Sequence, residues 1–314
     1  VVNSAGLTDF NPDLRLALST HADSVLHLVE FLRRCRRAGL VHVSTCFVNG
    51  RTDGRVPEEL QPSYTPRGAS DFNARRELEF LHSEVSRIEQ EADGSTFQSQ
   101  FRSEALSKVK SSADGSDEKA VNNQIRKIRT RWVRDRLIDI GIERAQRWGW
   151  PNIYTFTKSL GESLLEAEAG NLPVSIARPS IVESSVSQPF RGWNEGVNTT
   201  APLSYLLGTY FRQLPSNKRK RLDVIPVDLV CRGLTLISAA VIERCHERIY
   251  QLATSATNPA DMRRTIELTG LAHRKHYRSL EGLEHWLRAR FDTIPVSKTR
   301  YTNVSLPRFR RVIE

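Results

Sequence analysis

Tyr154 and Lys158, in the segment Tyr154-Thr155-Phe156-Thr157-Lys158, are one helical turn apart, so their side chains leave the same face of a helix. A phenol ordinarily ionises near ~10, too high for easy proton exchange at neutral pH. An ammonium one turn away favours the phenolate and is expected to lower that value. The pair therefore suits proton transfer to or from a carbonyl or an alcohol. Tyr-x-x-x-Lys is common by chance, and it gains weight only from what flanks it.

Two other stretches belong with it. STCFVNG (44–50) reads as a strand ending in two hydroxyl residues, Ser44 and Thr45, before a glycine. SIARPSIV (175–182) reads as a strand ending at Arg178-Pro179. Ligands of an open parallel sheet bind at the carboxyl ends of its strands, and all three segments sit at such ends or on the helix feeding one. A hydroxyl at Thr45 can donate to a substrate carbonyl while Tyr154 delivers a proton, and Lys158 can also hold a ribose hydroxyl.

The elements that must position these groups follow from periodicity. Val1-Val2 is strand-like and Asn3-Ser4-Ala5-Gly6 is turn chemistry. Asn11 followed by Pro12 predicts a helix cap and a first helical position. Leu14, Leu18, Ala22, Val25, Val29 and Leu32 continue at helical spacing, with Gly39 closing the helix and a strand over 40–45. Strand, helix, strand with short connections is one crossover of a parallel sheet. Trp150-Pro151 precede the Tyr154 helix, which is expected to run to Ala169 and end at Gly170-Asn171. A strand over 173–177, a helix over 202–214, a strand over 221–227, a helix over 229–242 and a last strand over 249–253 follow. Residues 66–147 differ in character, with two or three charged helical patterns around SSADGSDEK (111–119). Phe72, Leu78, Leu81, Val85 and Ile88 mark one amphipathic helix, and residues 124–148, with eight Lys/Arg against three acids, mark another whose basic face is read as solvated. The region is taken as a helical insertion and not as a separate fold.

Composition narrows the partners. The chain has 314 residues, 39% of them hydrophobic, enough for one large domain or two ordinary ones. Cys35, Cys46, Cys231 and Cys245 lie far apart, which argues against a disulfide framework or a zinc site and suits a reducing, cytoplasmic compartment; they are read as small buried hydrophobes. The net charge of +10 would attract nucleic acid, anionic lipid or a phosphorylated substrate. No nucleic-acid recognition motif or aromatic-interleaved basic stripe is present, so nucleic acid is set aside. No signal peptide or transmembrane span is read. The longest apolar stretch, 224–242, is interrupted by Asp228 and Arg232 and is taken as a strand and a buried helix. The opening VVNSAG lacks a Met and starts inside a strand, so the chain is expected to be a fragment with its upstream part missing.

Taken together, VVNSAGLTDFNPDLR, LVHVSTCFVNGRTDGRVPEE, WPNIYTFTKSLGE, LPVSIARPSIVESSVSQPFRGW, VIPVDLVCRG and YQLATSATNPADMRRTIELTG resemble the extended short-chain dehydrogenase/reductases. Within them the chain most resembles the fatty acyl-CoA reductases, whose male-sterility-type NAD(P)-binding domain is related to thioester reductases. The resemblance implies an α/β fold: a Rossmann-like doubly wound parallel sheet with its first strands missing, a charged helical insertion and a smaller carboxyl-terminal substrate-binding part. The implied layout is a partial dinucleotide-binding domain over 1–184 with the insertion at about 66–147, an acyl-binding part over 185–284, and a tail or linker over 285–314. Thr45 would be the hydroxyl of the catalytic triad with Ser44 supporting it, Tyr154 the general acid, and Lys158 the group that lowers its pKa and contacts the nicotinamide ribose. Asn3, Ser4, Ala5 and Gly6 would line the adenine side of the cofactor, and Pro179, Ser180 and Ile181 would pack near the nicotinamide.

The implied reaction is NADPH-dependent reduction of a long-chain fatty acyl-CoA thioester to the aldehyde and then the primary alcohol. Phe190, Trp193, Tyr205, Leu206 and Phe211 are candidates for the acyl pocket, with core packing as the other reading of each aromatic. Lys218-Arg219-Lys220-Arg221 would meet coenzyme A phosphates, make a peripheral membrane contact, or simply face solvent. The sequence departs from the family in two places. No G-x-G-x-x-G occurs, so weak dinucleotide binding by the chain itself is expected, because backbone amides at that turn carry the pyrophosphate. His21, in STHADS, stands where relatives usually have an Asn that organises a water near the Lys, so a proton relay there is in question. Three alternatives stay open: a nucleotide-sugar epimerase or dehydratase, a thioester reductase releasing aldehyde from a carrier protein, and an interaction module on an impaired reductase fold.

Overall fold

The computed structural model of the chain describes residues 1–52, 54–110, 118–196, 199–208, 213–215, 221–288, 290 and 294–303. In chain order the elements are β1 (Val2–Asn3), α1 (Leu14–Leu18), a π-helical turn (Ser19–Asp23), α2 (Ser24–Arg33), β2 (Leu40–Val43), a 3-10 turn (Cys46–Asn49), α3 (Ala74–Asp93), α4 (Ser95–Lys110), α5 (Glu118–Trp148), α6 (Ile153–Ala169), β3 (Val174–Pro179) and β4 (Ile181–Glu183). After these come α7 (Ala201–Gly208), β5 (Gln213–Pro215), β6 (Arg221–Leu222), β7 (Val224–Pro226), α8 (Val227–Ile242), β8 (Ile249–Leu252), β9 (Ala260–Asp261), α9 (Met262–Arg278), α10 (Leu283–Arg288), β10 (Ile294–Val296) and α11 (Lys298–Asn303).

The chain divides into two compact units, one of Val1–Arg178 with Leu236–Gln251 and one of Pro179–Thr235 with Leu252–Glu314. The principal sheet has the order β1-β2-β3-β8. β1 runs parallel to β2 with Asn3 beside His42, and β2 runs parallel to β3 with Leu40 beside Val174 and Val43 beside Ala177. All six residues of β3 are buried, the signature of a parallel strand covered on both faces. This is a Rossmann-like parallel sheet with flanking helices, as the family resemblance implies.

In the first unit, α2 and α6 lie on the sheet through Val25, Val29, Leu32, Leu165 and Ala169, which meet Leu40, Val174, Ile176 and Ile249. The opposite side of α6 presents Ile153, Phe156, Leu160 and Leu164 to α1 and to the helical insertion. α6 is therefore covered nearly all round, and it buries Thr155, Thr157, Lys158, Ser159, Glu162 and Ser163 along with its apolar residues. The insertion joins the same core through Leu78, Leu81, Ile88, Phe101, Ile128, Val133 and Leu137, so it extends this unit. Arg126, Lys127, Arg131, Arg134 and Arg136 of α5 face solvent, as expected, while Arg144 pairs with the buried Glu77. Most of the soft stretch, residues 111–117, lies outside the described residues.

Several boundaries differ from expectation, each for a local reason. α1 is capped by Asp13, whose Oδ1 accepts from the Arg15 amide at 3.0 Å; Asn11 instead accepts from the Ile153 amide at 3.4 Å. The helix beginning at Leu14 carries a π turn and stops at Arg33, ahead of Gly39, where the Arg34 amide already turns back to Phe31 and Leu32. The helix expected over 202–214 ends at Gly208; Gln213–Pro215 form a strand beside β10, a tertiary pairing that local pattern does not carry. Two short strands, β9 and β10, follow the one expected to be last. α8 is not a buried helix: Leu236 and Ile242 are exposed, and Val230, Ile237 and Val241 form its covered stripe. Asp228, an interruption in the sequence pattern, accepts from the Val186 and Ser187 amides at 3.1 and 3.0 Å in the second unit. The cysteines are free thiols, two half-buried and Cys231 and Cys245 exposed, so they are not core residues. No described helix is long and apolar enough to cross a membrane.

Candidate active site

Tyr154 opens α6. Asn152 caps the helix, its Oδ1 accepting from the Thr155 amide at 2.9 Å, and the Tyr154 amide donates to Phe10 O at 3.0 Å. α6 is thereby pinned at its first turn to the segment following β1. Thr45 leaves the end of β2, capping the Cys46–Asn49 turn with its Oγ accepting from the Phe47 amide at 3.3 Å. That bond leaves the Thr45 proton available, and the hydroxyl lies close enough to Tyr154 to favour its ionised form.

The protonation states do not follow the sequence expectation. Burial pushes the Tyr154 phenol up, and proximity to Thr45 offsets this only in part. Burial, and not the Lys158 charge, sets the direction. The ammonium is itself buried and donates to Val43 O at 3.0 Å. Burial pulls Lys158 down to about 8, against the opposing pull of Glu162 one turn on. The phenol is thus held as an acid at neutral pH, and Lys158 is a cation close to its own titration point.

The strand-end turn meets this pair directly. A Cβ on Gly6 would lie 3.2 Å from Lys158 Nζ and 3.8 Å from His21 Nε2, so a larger residue there would crowd the ammonium. Ser4 and Ala5 are exposed beside it. Asn3 is buried, with its Oδ1 accepting from the Ala5 amide and its amide nitrogen 3.2 Å from His42 Nδ1. The Ser44 hydroxyl and His42 Nε2 are buried and have no partner among the described residues. Asn3, Ser4, Ala5, Gly6, Ser44, Thr45, Tyr154 and Lys158 all belong to the first unit, around the carboxyl ends of β1 and β2.

Pro179, Ser180 and Ile181 belong to the second unit. The Ser180 amide donates to Leu252 O and the Ile181 amide to Asp223 O, at 3.0 and 3.1 Å. Phe190 and Tyr205 are 62% and 71% exposed, which excludes core packing for them, and Trp193 is half-buried. The Leu206 side chain, Phe211 and Lys218–Lys220 lie outside the described residues; Arg221 is exposed in β6.

Sequence reasoning passed over three features. His42 interrupts an apolar strand on the inward parity of Leu40, which was the available signal. Glu162, one turn beyond Lys158, forms a buried ion pair with Arg178, 2% and 4% exposed, with Arg178 Nε 3.0 Å from Glu162 Oε1. Gly161 sits where any Cβ would fall 2.1 Å from His21 O, so α6 and the π turn can meet only at a glycine. A cavity of about 130 Å³ lies behind α6 between Val48, Tyr64, Ser159, Glu162 and Arg178. It excludes Thr45, Tyr154 and Lys158 and is too small for a dinucleotide.

A family model described as male sterility protein, an NAD-binding domain, matches residues 1–234. The chain is 29% identical over 282 residues to an alcohol-forming fatty acyl-CoA reductase of Simmondsia chinensis, covering 87% of this chain and 49% of that protein. It is also 29% identical over 269 residues to the chloroplastic fatty acyl-CoA reductase 2 of Arabidopsis thaliana, covering 82% of this chain and 38% of that protein. The chain thus spans half or less of the length of these relatives. Among solved structures, the terminal R domain from the myxalamid PKS-NRPS biosynthetic pathway superposes with a TM-score of 0.47 at 12% identity, over 96% of this chain and 60% of that one. With three quarters of its length matched by one model, the chain belongs to the male sterility protein family of NAD-binding domains.

Proposed function

We propose that this chain carries the proton-transfer site of an NADPH-dependent fatty acyl-CoA reductase that converts a long-chain acyl thioester to the aldehyde and then the alcohol. The observation that carries the reading is the gathering of Thr45, Tyr154 and Lys158 beside Gly6 at the ends of adjacent parallel strands. The residues present suit the nicotinamide-ribose end of a dinucleotide. Gly6 keeps a gap that a Cβ would fill, and Lys158, with one N–H engaged at Val43 O, has two donors left for ribose hydroxyls.

When bound, NADPH supplies the hydride. The protein does the rest. The Thr45 hydroxyl and the Tyr154 phenol point two donors at the oxygen of the carbonyl being reduced, where negative charge develops. Tyr154 then gives its proton to that oxygen in the alcohol-forming step, a transfer helped by a phenol that burial keeps protonated. Lys158 holds the cofactor sugar and supplies positive charge near the phenolate left behind. Pro179–Ile181 remain the candidates for the nicotinamide face, and Phe190, Trp193 and Tyr205 for the acyl chain. A membrane contact at Lys218–Arg221 remains part of the same proposal.

The test is Tyr154→Phe in the full-length gene product, assayed with long-chain acyl-CoA and NADPH and with products identified by mass spectrometry. A fall in turnover of about 100-fold or more, with unchanged thermal stability, is expected of a lost general acid. Turnover at the wild-type rate would remove Tyr154 from the mechanism. The product, aldehyde or alcohol, separates release after one reduction from completion of two.

A further inference from the structure

We infer that His21 is a positioning residue that locks the Asn3–Leu7 turn to the catalytic helix through one neutral tautomer. This rests on the proposed reductase site and adds a residue to it.

The ring is wholly buried in the π turn between α1 and α2, and π turns within helices recur at functional sites. Its Nε2 accepts from the Leu7 amide at 3.0 Å. A backbone N–H only donates, so this nitrogen carries no proton. Its Nδ1 lies 2.8 Å from Thr157 Oγ, and that hydroxyl gives its own proton to Ile153 O at 2.9 Å. The Thr157 oxygen must therefore accept, and Nδ1 must carry the proton. Only one of the three protonation states of imidazole satisfies both partners.

The tie sits where it can matter. Leu7 follows Gly6, the residue against Lys158 Nζ, and Thr157 directly precedes Lys158 in α6. The imidazole and the Tyr154 ring form a T-shaped pair, with centroids 5.8 Å apart and planes at 76°. The backbone of the same residue meets α6 at Gly161. One side chain therefore sets the spacing between the strand-end turn and the face carrying Tyr154 and Lys158 without occupying the space between them. The ionisable groups around it are Lys158, His42 and Tyr154; burial and the Lys158 charge hold His21 neutral, at about 3.

Two experiments test this. Nitrogen-detected NMR of the imidazole rings in this chain should show His21 as the Nδ1–H form, without titration between pH 5 and 8. An Nε2–H form, or a midpoint near the ordinary ~6.5, would overturn the assignment. In the full-length gene product, His21→Phe fills a similar volume without hydrogen bonds. It should raise the KM for NADPH about 10-fold, as expected for one lost hydrogen bond of ordinary strength, and His21→Gln, whose amide oxygen can accept from Leu7, should recover most of that loss. Wild-type NADPH KM in His21→Phe would reduce the residue to packing and overturn the proposal. If Tyr154→Phe is inactive while His21→Phe is normal, only the His21 inference falls; if Tyr154→Phe is fully active, the site reading falls with it.

Discussion

Burial sets the protonation of the titratable groups around Tyr154, and this makes their effect on stability predictable. Lys158, held near 8 instead of its ordinary 10.5, binds its proton less readily when folded than when unfolded. The cost of burying its charge is therefore fully present below pH 8. Stability should rise as pH increases from about 8 toward 10, by up to roughly 3 kcal/mol if the shift is taken at face value. Urea midpoints across that range would show the rise in the parent chain and its loss in Lys158→Met. His42, held at about 3 by burial and by Lys158, has a consequence of the same sign at lower pH. The unfolded chain takes up its proton first, so stability should fall as pH drops below about 6.5, and His42→Asn should remove about half of that slope, His21 supplying the other half. A parallel slope in the variant would mean that His42 is not buried neutral.

At the scale of elements, the site depends on how closely α6 approaches its neighbours. Gly161→Ala would place a methyl against His21 O, a backbone atom that cannot rotate away. Overpacking of this kind costs about 1–3 kcal/mol, and here it should also widen the gap beside Lys158. A lower melting temperature with an unchanged KM for NADPH would show that the contact is structural only. The far side of α6 is anchored by the Glu162–Arg178 pair. Glu162→Ala leaves a buried guanidinium without its partner and should cost about 3–5 kcal/mol by denaturant titration; a loss below about 1 kcal/mol would mean that water reaches Arg178. The insertion has a different role at this scale. It covers the outer face of α6 with Leu78, Leu81, Ile128 and Leu137, so the helix bearing Tyr154 is held by packing on one side and by the sheet on the other.

For the whole molecule, the chain carries the groups proposed to handle a carbonyl but no G-x-G-x-x-G turn for a pyrophosphate. Residues 1–314 alone should therefore bind NADPH weakly, and a micromolar dissociation constant by fluorescence titration would mean that another segment holds the phosphates. Much of this architecture was legible in the residues. The strand pattern over 40–45, the helical spacing of Leu14 to Leu32 and the one-turn interval from Tyr154 to Lys158 are local patterns, and the chain must obey them to bury its apolar groups. The π turn at Ser19–Asp23, the strand at Gln213–Pro215 and the half-exposed α8 were not legible, because each depends on a partner distant in sequence. The same holds for chemistry. Sequence alone determined which groups can transfer a proton and that they share one end of a parallel sheet. Only the tertiary structure decided their charge states, because desolvation of Tyr154, Lys158, His21 and His42 depends on what covers them, and no spacing along the chain records that.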